Sequence, residues 1–155
     1  MRAIGPPLTP EETARFVAEA RSYLGVRFRH QGRSRTGVDC VGLALVALSV
    51  LHRPAYDAGA YSREPLRQGL RAAVVRNLGE PVLARTPETP VPVSEMRVGD
   101  VALMRFLGEP THVGIIADYP YGGFSVVHSF AQVRKVVEHR LDSEWVGYIT
   151  EVFRP

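Results

Sequence analysis

The chain contains one cysteine, Cys40, and five histidines, His30, His52, His112, His128 and His139. The cysteine sits in "RFRHQGRSRTGVDCVGLALVAL", residues 27–48, where a loop crowded with arginine and glycine gives way to an apolar run. Asp39 is a natural N-cap, which puts Cys40 in the first turn of a helix. Helix N-termini carry partial positive charge and free N–H groups, and both favour thiolate over thiol. Arg29, Arg33 and Arg35 push in the same direction, and a backbone N–H at that turn can stabilise a developing oxyanion. A lone cysteine is more commonly a buried, inert side chain. The boundary position, as opposed to mid-helix, argues against that here.

A nucleophilic thiol needs a base. His112 opens the run "THVGIIADY" and His128 lies in "SVVHSF". The two runs read as a hairpin, so the histidines fall on neighbouring strands. One imidazole then accepts the thiol proton and the other orients it. His139, in "VVEHRL", shares a strand face with Val137 and Leu141 and reads as a half-buried structural histidine. His52 reads as a charge partner for a helix C-terminus, and His30 as part of a loop that shapes a binding site. Taken singly, every one of these histidines has a structural reading at least as good as a catalytic one. No CxxC, HExxH or closely spaced ligand pair occurs, so no metal site is expected. "GRSRTG" lacks the lysine and preceding strand of a phosphate loop, so no nucleotide cofactor is expected either.

These residues need elements to position them. A first helix is predicted from Pro10 to Leu24, with Thr9 as N-cap, Pro10 at the first position and Glu12 completing a capping box. A second runs from Cys40 to Leu51, apolar almost all round and therefore central. A third runs from Arg63 to Leu78, between Ser62 and Gly79. From Glu80 to Glu95 the composition turns to Pro, Thr and Val, an irregular connection. Five strands follow: Val101–Phe106, His112–Asp118, Phe124–Phe130, Val133–Leu141 and Tyr148–Phe153, with "DYPYGG" as a hairpin turn. Helices first and antiparallel strands second make an α+β layout in a single domain spanning 1–155.

The bulk properties narrow the partners. With 45% hydrophobic and 23% charged residues in 155, the composition is that of a folded globular chain. All of the 19 basic residues except Lys135 are arginine, yet the net charge is only +3. So small an excess gives no footprint for nucleic acid. No stretch has the length of a membrane span, and "MRAIGPPLTPEETARF" has no apolar signal segment. Synthesis in the cytoplasm without a signal peptide is the expectation.

Four stretches in order, "YLGVRFRHQGRSRTGVDCVGLALVAL", "RVGDVALMRF", "THVGIIADY" and "VVHSF", resemble the NlpC-type cell-wall cysteine peptidases, a papain-like family. The resemblance runs from Tyr23 to His128 with gaps. It implies a papain-like fold, with the cysteine at the start of a central helix packed on a C-terminal sheet of about five strands. It implies Cys40 as nucleophile, His112 as base and His128 as the polar third member, with no cofactor. It implies peptidoglycan stem peptides as substrate, often at the bond between D-glutamate and diaminopimelate. Phe28, His30, Gln31, Arg33, Asp39 and Val41 are the expected substrate-binding residues, Arg33 for carboxylates and Asp39 for an amine. Val41 stands where the family usually has serine, and Phe28 where it usually has tyrosine, so two hydroxyls are missing. "RHQGRSR…DCVGL" is closer to the phage-encoded branch, whose members accompany tail tips, which implies tail proteins as partners and association with the virion. Two other readings stay open: a structural tail-assembly protein, and an amidase or acyltransferase on the same scaffold.

Overall fold

The structure, a computed structural model, describes residues 6–52, 69–108 and 110–155. Helix α1 covers Pro10–Ser22; the Thr9 side chain accepts from the Glu12 amide and Glu12 returns the bond, the capping box expected of the sequence. Its Phe16, Val17 and Ala20 are buried. The 28–38 loop then forms a small hairpin, β1 (Arg33–Ser34) with β2 (Gly37–Val38). Helix α2 covers Cys40–Ser49, two residues shorter than predicted, and α3 covers Leu70–Leu78. The predicted start of the third helix at Arg63, with its Ser62 cap, lies outside the described residues.

Among the described residues the sheet has six strands, one more than the five expected. Strand β3 (Leu83–Ala84) arises inside the stretch read as an irregular connection, because it pairs with the last strand. After it come β4 (Val101–Met104), β5 (His112–Asp118), β6 (Phe124–Phe130), β7 (Lys135–Arg140) and β8 (Ile149–Phe153). The order across the sheet is β3-β8-β4-β5-β6-β7, and every neighbouring pair is antiparallel. Strand β7 starts two residues later than predicted because Ala131–Val133 form a 3-10 turn and Arg134 is left-handed, with φ 63°. Helix α4 (Ser143–Tyr148), not anticipated, is capped by Asp142, whose carboxylate accepts from the Trp145 amide at 3.0 Å.

Side chains alternate across the sheet. Val113, Ile115, Ala117 and Val127 face α1 and α2 in one buried cluster. Ala102, Met104, Ile116 and Val126 face the other way, against Val146 of α4 and Trp145. Two buried or half-buried ion pairs tie the layers. Arg21 of α1 makes a bidentate contact to Glu138 of β7 (3.1 and 2.8 Å), and Glu138 also accepts from Ser125 at 2.6 Å. Asp100 of "RVGD" is buried; it accepts from the Arg97 amide at 2.8 Å and from Arg154 at 2.8 and 2.9 Å. That motif therefore fastens the turn into β4 to the end of β8.

Candidate active site

The cysteine corner is built by close backbone packing. The Asp39 carboxylate is the hub: one oxygen accepts from the Gly42 amide at 2.7 Å and from Arg33 at 3.1 Å, the other from the Gln31 amide at 2.8 Å. One buried carboxylate thus caps α2 and holds the preceding loop over it. Gly42 permits the contact, because a Cβ there would run into the backbone carbonyl oxygen of Gly32. Gly32 in turn lies against the backbone of Gly37. The spacing of Gly32, Gly37, Asp39 and Gly42 follows from this packing.

The histidine side depends on a break in the sheet. Ile116 N–H donates to the Asp100 carbonyl, so in β5 the even-numbered N–H groups face β4 and the odd-numbered ones face β6. The β5–β6 ladder runs from Asp118↔Phe124 to Ile115↔Val127 and stops. The next pair in register with N–H groups facing each other would be Val113 with Ser129, two residues on. Both face the 38–40 segment instead: the Val113 amide favours the Cys40 thiolate, and Ser129 Oγ donates to the Val38 carbonyl at 2.7 Å. The cysteine is thus wedged where β5 and β6 part, at the residue next to His112.

His112 and His128 meet on the opposite face of the sheet. His112 Nε2 and His128 Nδ1 are 2.6 Å apart. Extending the register by one more residue sets Gly114 across from His128. A Cβ on Gly114 would meet Val126, Met104 and the Cβ of His128. The bare Gly114 leaves the room that lets the His112 ring reach its neighbour. Phe106, Phe130 and Trp145 wall the imidazoles in; Phe130 stacks on His128 at 5.2 Å between centroids, and Trp145 meets the same ring edge-on at 5.1 Å.

Burial decides the charge state. Cys40 is 4% exposed, His112 6% and His128 0%. Loss of solvent pushes the thiol up to about 12, helped by the adjacent Asp39 charge and opposed by N–H groups of Val113, Val41 and Cys40 itself. The N–H groups at the helix N-terminus do favour the thiolate, but burial outweighs them. Burial takes His112 down to about 4. Burial, with repulsion from His112 and His139, takes His128 down to about 2. The resting pair is a neutral thiol and a neutral imidazole.

The remaining predicted site residues divide into two groups. Asp39, Gln31 and Arg33 are joined to one another, as described. Phe28 is half-buried; its amide donates to the Arg134 carbonyl, and it shares a shallow surface pocket with Arg27, Arg29 and Arg134. His30 is half-buried at the turn before Gln31, which takes a left-handed φ of 61°. Val41 points elsewhere, into an apolar groove with Leu45, Val74 and Val113. Sequence reading missed His139: its Nε2 lies 2.9 Å from His128 Nε2, and its Nδ1 lies 2.9 Å from the Arg140 carbonyl. The available signal was its parity in β7, which puts it on the same sheet face as His128. Both His128 nitrogens are spent on other imidazoles, which leaves that ring no lone pair for a metal.

A sequence model of the NlpC/P60 family matches residues 25–152. The chain belongs to the NlpC/P60 family. No curated protein matches it. Among solved structures, the NlpC/p60 domain of peptidoglycan hydrolase SagA is 21% identical, with a TM-score of 0.58 over 91% of this chain and 97% of that one. An NLP/P60-family lipoprotein-like protein of Staphylococcus aureus is 16% identical, with a TM-score of 0.62 over 96% of this chain and 43% of that one. The peptidoglycan hydrolase RipB of Mycobacterium tuberculosis is 18% identical, with a TM-score of 0.54 over 93% and 64%. An N-acetylmuramoyl-L-alanine amidase of Bacteroides uniformis, 13% identical, superposes at 0.57 over 94% and 99%. At these identities the likeness is one of fold. The NlpC/P60 chain spans less than half of the staphylococcal protein and about two thirds of RipB.

Proposed function

We propose that this NlpC/P60 chain is a cysteine hydrolase of amide bonds in peptidoglycan stem peptides, acting first at the bond between D-glutamate and diaminopimelate. The observation that carries the reading is the dipeptide His112-Val113: its Val113 amide favours the Cys40 thiolate while its imidazole heads a hydrogen-bonded chain. Cys40 Sγ attacks the amide carbonyl carbon as His112 takes the thiol proton. Concerted transfer suits a pair that is neutral at rest, because neither charge exists in the buried site before the reaction. The backbone N–H of Cys40 faces the oxyanion. Collapse breaks the C–N bond, and His112 returns its proton to the leaving amine. Water, deprotonated by the same imidazole, then hydrolyses the thioester and restores the thiol. His128 fixes the ring of His112. Phe28, His30 and Gln31 are the substrate-side residues, with the Asp39–Arg33 pair behind them, and Val41 has no part in substrate binding because it lies in the apolar groove. A phage tail tip is the setting we assign, on the wording of residues 30–43.

Incubating purified muropeptides with the wild type and with Cys40→Ala, then reading the products by mass spectrometry, tests this. Fragments cut between D-glutamate and diaminopimelate, seen only with the wild type, are the expected result. Cleavage between muramic acid and L-alanine instead places the chain with the amidases. A folded wild type that cuts no wall type overturns the hydrolase reading and leaves a structural role in the tail.

A further inference from the structure

Among the histidines, His139 has no part in the nucleophile–base–orienter logic, yet the hydrogen-bond chain ends on it. The chain has a direction. The Arg140 carbonyl can only accept, so His139 Nδ1, 2.9 Å away, carries a hydrogen. A neutral His139 then has a lone pair at Nε2, which accepts from His128 Nε2–H at 2.9 Å. His128 is thereby left with a lone pair at Nδ1, which accepts from His112 Nε2–H at 2.6 Å. His112 is left with its lone pair at Nδ1. One backbone carbonyl at the edge of β7 therefore dictates the tautomer of three rings. Trp145 holds the outermost ring in place, 4.7 Å from His139 between centroids.

We propose that His139 is a positioning residue for the hydrolase: it fixes His128 in the Nε2–H tautomer and so keeps Nδ1 of His112 available as the base. The kinetic side of this rests on the function proposed above; the tautomers do not. Without an acceptor at position 139, His128 can move its proton to Nδ1. His112 must then present Nε2 as the acceptor and carry its own proton at Nδ1, where it cannot take another. A histidine base held in the wrong tautomer is a severe defect when the orienting group touches it directly, about 10⁴-fold. One ring further out, with both tautomers of His128 populated, the expected loss is about 10- to 100-fold in kcat with little change in KM.

Two variants and one spectrum test the assignment. His139→Leu removes the acceptor; His139→Gln restores one, because the Gln carbonyl oxygen can receive the His128 proton. The expected pattern is a loss of kcat in His139→Leu and recovery to within a few-fold of wild type in His139→Gln. A structural role would not separate the two by acceptor chemistry. The imidazole ¹⁵N two-bond correlation spectrum of the wild type reads the tautomers directly: Nδ1–H for His139, and Nε2–H for His128 and His112. His128 found as Nδ1–H in the wild type overturns the proposal whatever the variants do. So does a His139→Leu protein with wild-type kcat. If the wild type cuts no muropeptide, the hydrolase reading falls, and the spectrum alone decides the tautomers. Poor folding of His139→Leu leaves the wild-type spectrum to decide.

Discussion

The two sides of the candidate site are made of different material. The cysteine side is backbone against backbone: Gly32 on Gly37, the Gly32 carbonyl on Gly42, and one buried carboxylate, Asp39, bonded to two amides and a guanidinium. The histidine side is ring against ring, three imidazoles in series behind Phe106, Phe130 and Trp145. The first is rigid because no atom can be added. The second is rigid because each proton has one place to go. The cysteine side should therefore fail by steric insult, and the histidine side by protonation.

The largest effect is expected from acid. His112 and His128 are held below their ordinary pKa of 6.5, toward about 4 and about 2. Below pH 6.5 the unfolded chain takes up protons that the folded one refuses, so stability is present above that pH and lost as pH falls toward the folded values. From pH 7 to 5 the pair should cost roughly 4 kcal/mol. Urea unfolding at the two pH values measures it, and His112→Asn should weaken the dependence. An unchanged stability would mean that the rings are not buried neutral.

Next comes Gly42→Ala. The added methyl meets a backbone oxygen that cannot rotate away, so a loss of about 3 kcal/mol is expected from urea titration. Gly147, with nothing within 4 Å of its would-be Cβ, is the control and should tolerate alanine. Equal costs at the two positions would break the contrast between the two sides.

The smallest effect sharpens the comparison. Asp39→Asn keeps an oxygen for the Gly42 amide but sets an NH2 against the Gln31 amide and removes the charge beside Arg33, so the stability cost should be about 2 kcal/mol. The Asp39 charge is one of the forces holding the thiol up, so the Cys40 pKa should fall in this variant. Thiolate absorbance against pH reads it directly. A rise would show that the carboxylate acts on Cys40 through structure and not through charge.

The same contrast explains what the sequence could reveal. The cysteine side is local: its cap, its helix start and its glycines lie within sixteen residues, and each has a residue-type signature. Strands β5 and β6 were readable to the residue because their apolar alternation is strong and "DYPYGG" closes them, with the Gly122 amide bonding the Tyr119 carbonyl. What was not readable depends on pairing across the chain. Strand β3 has two residues and exists only because β8 lies beside it. Helix α4 was missed although Asp142 and Glu144 mark its start, because a six-residue helix shows too little periodicity. His139 looks like any half-buried histidine until β7 is placed in register with β6, one residue deciding which face it takes.

Ser129 and His128 are consecutive, so their side chains leave β6 on opposite faces. The hydroxyl grips the carbonyl two residues before Cys40, and the imidazole grips His112. One strand thus acts as a ruler between the two halves of the candidate site. When β6 moves, both halves ride on it and their spacing is conserved. A motion that changes that gap has to release one of the two grips.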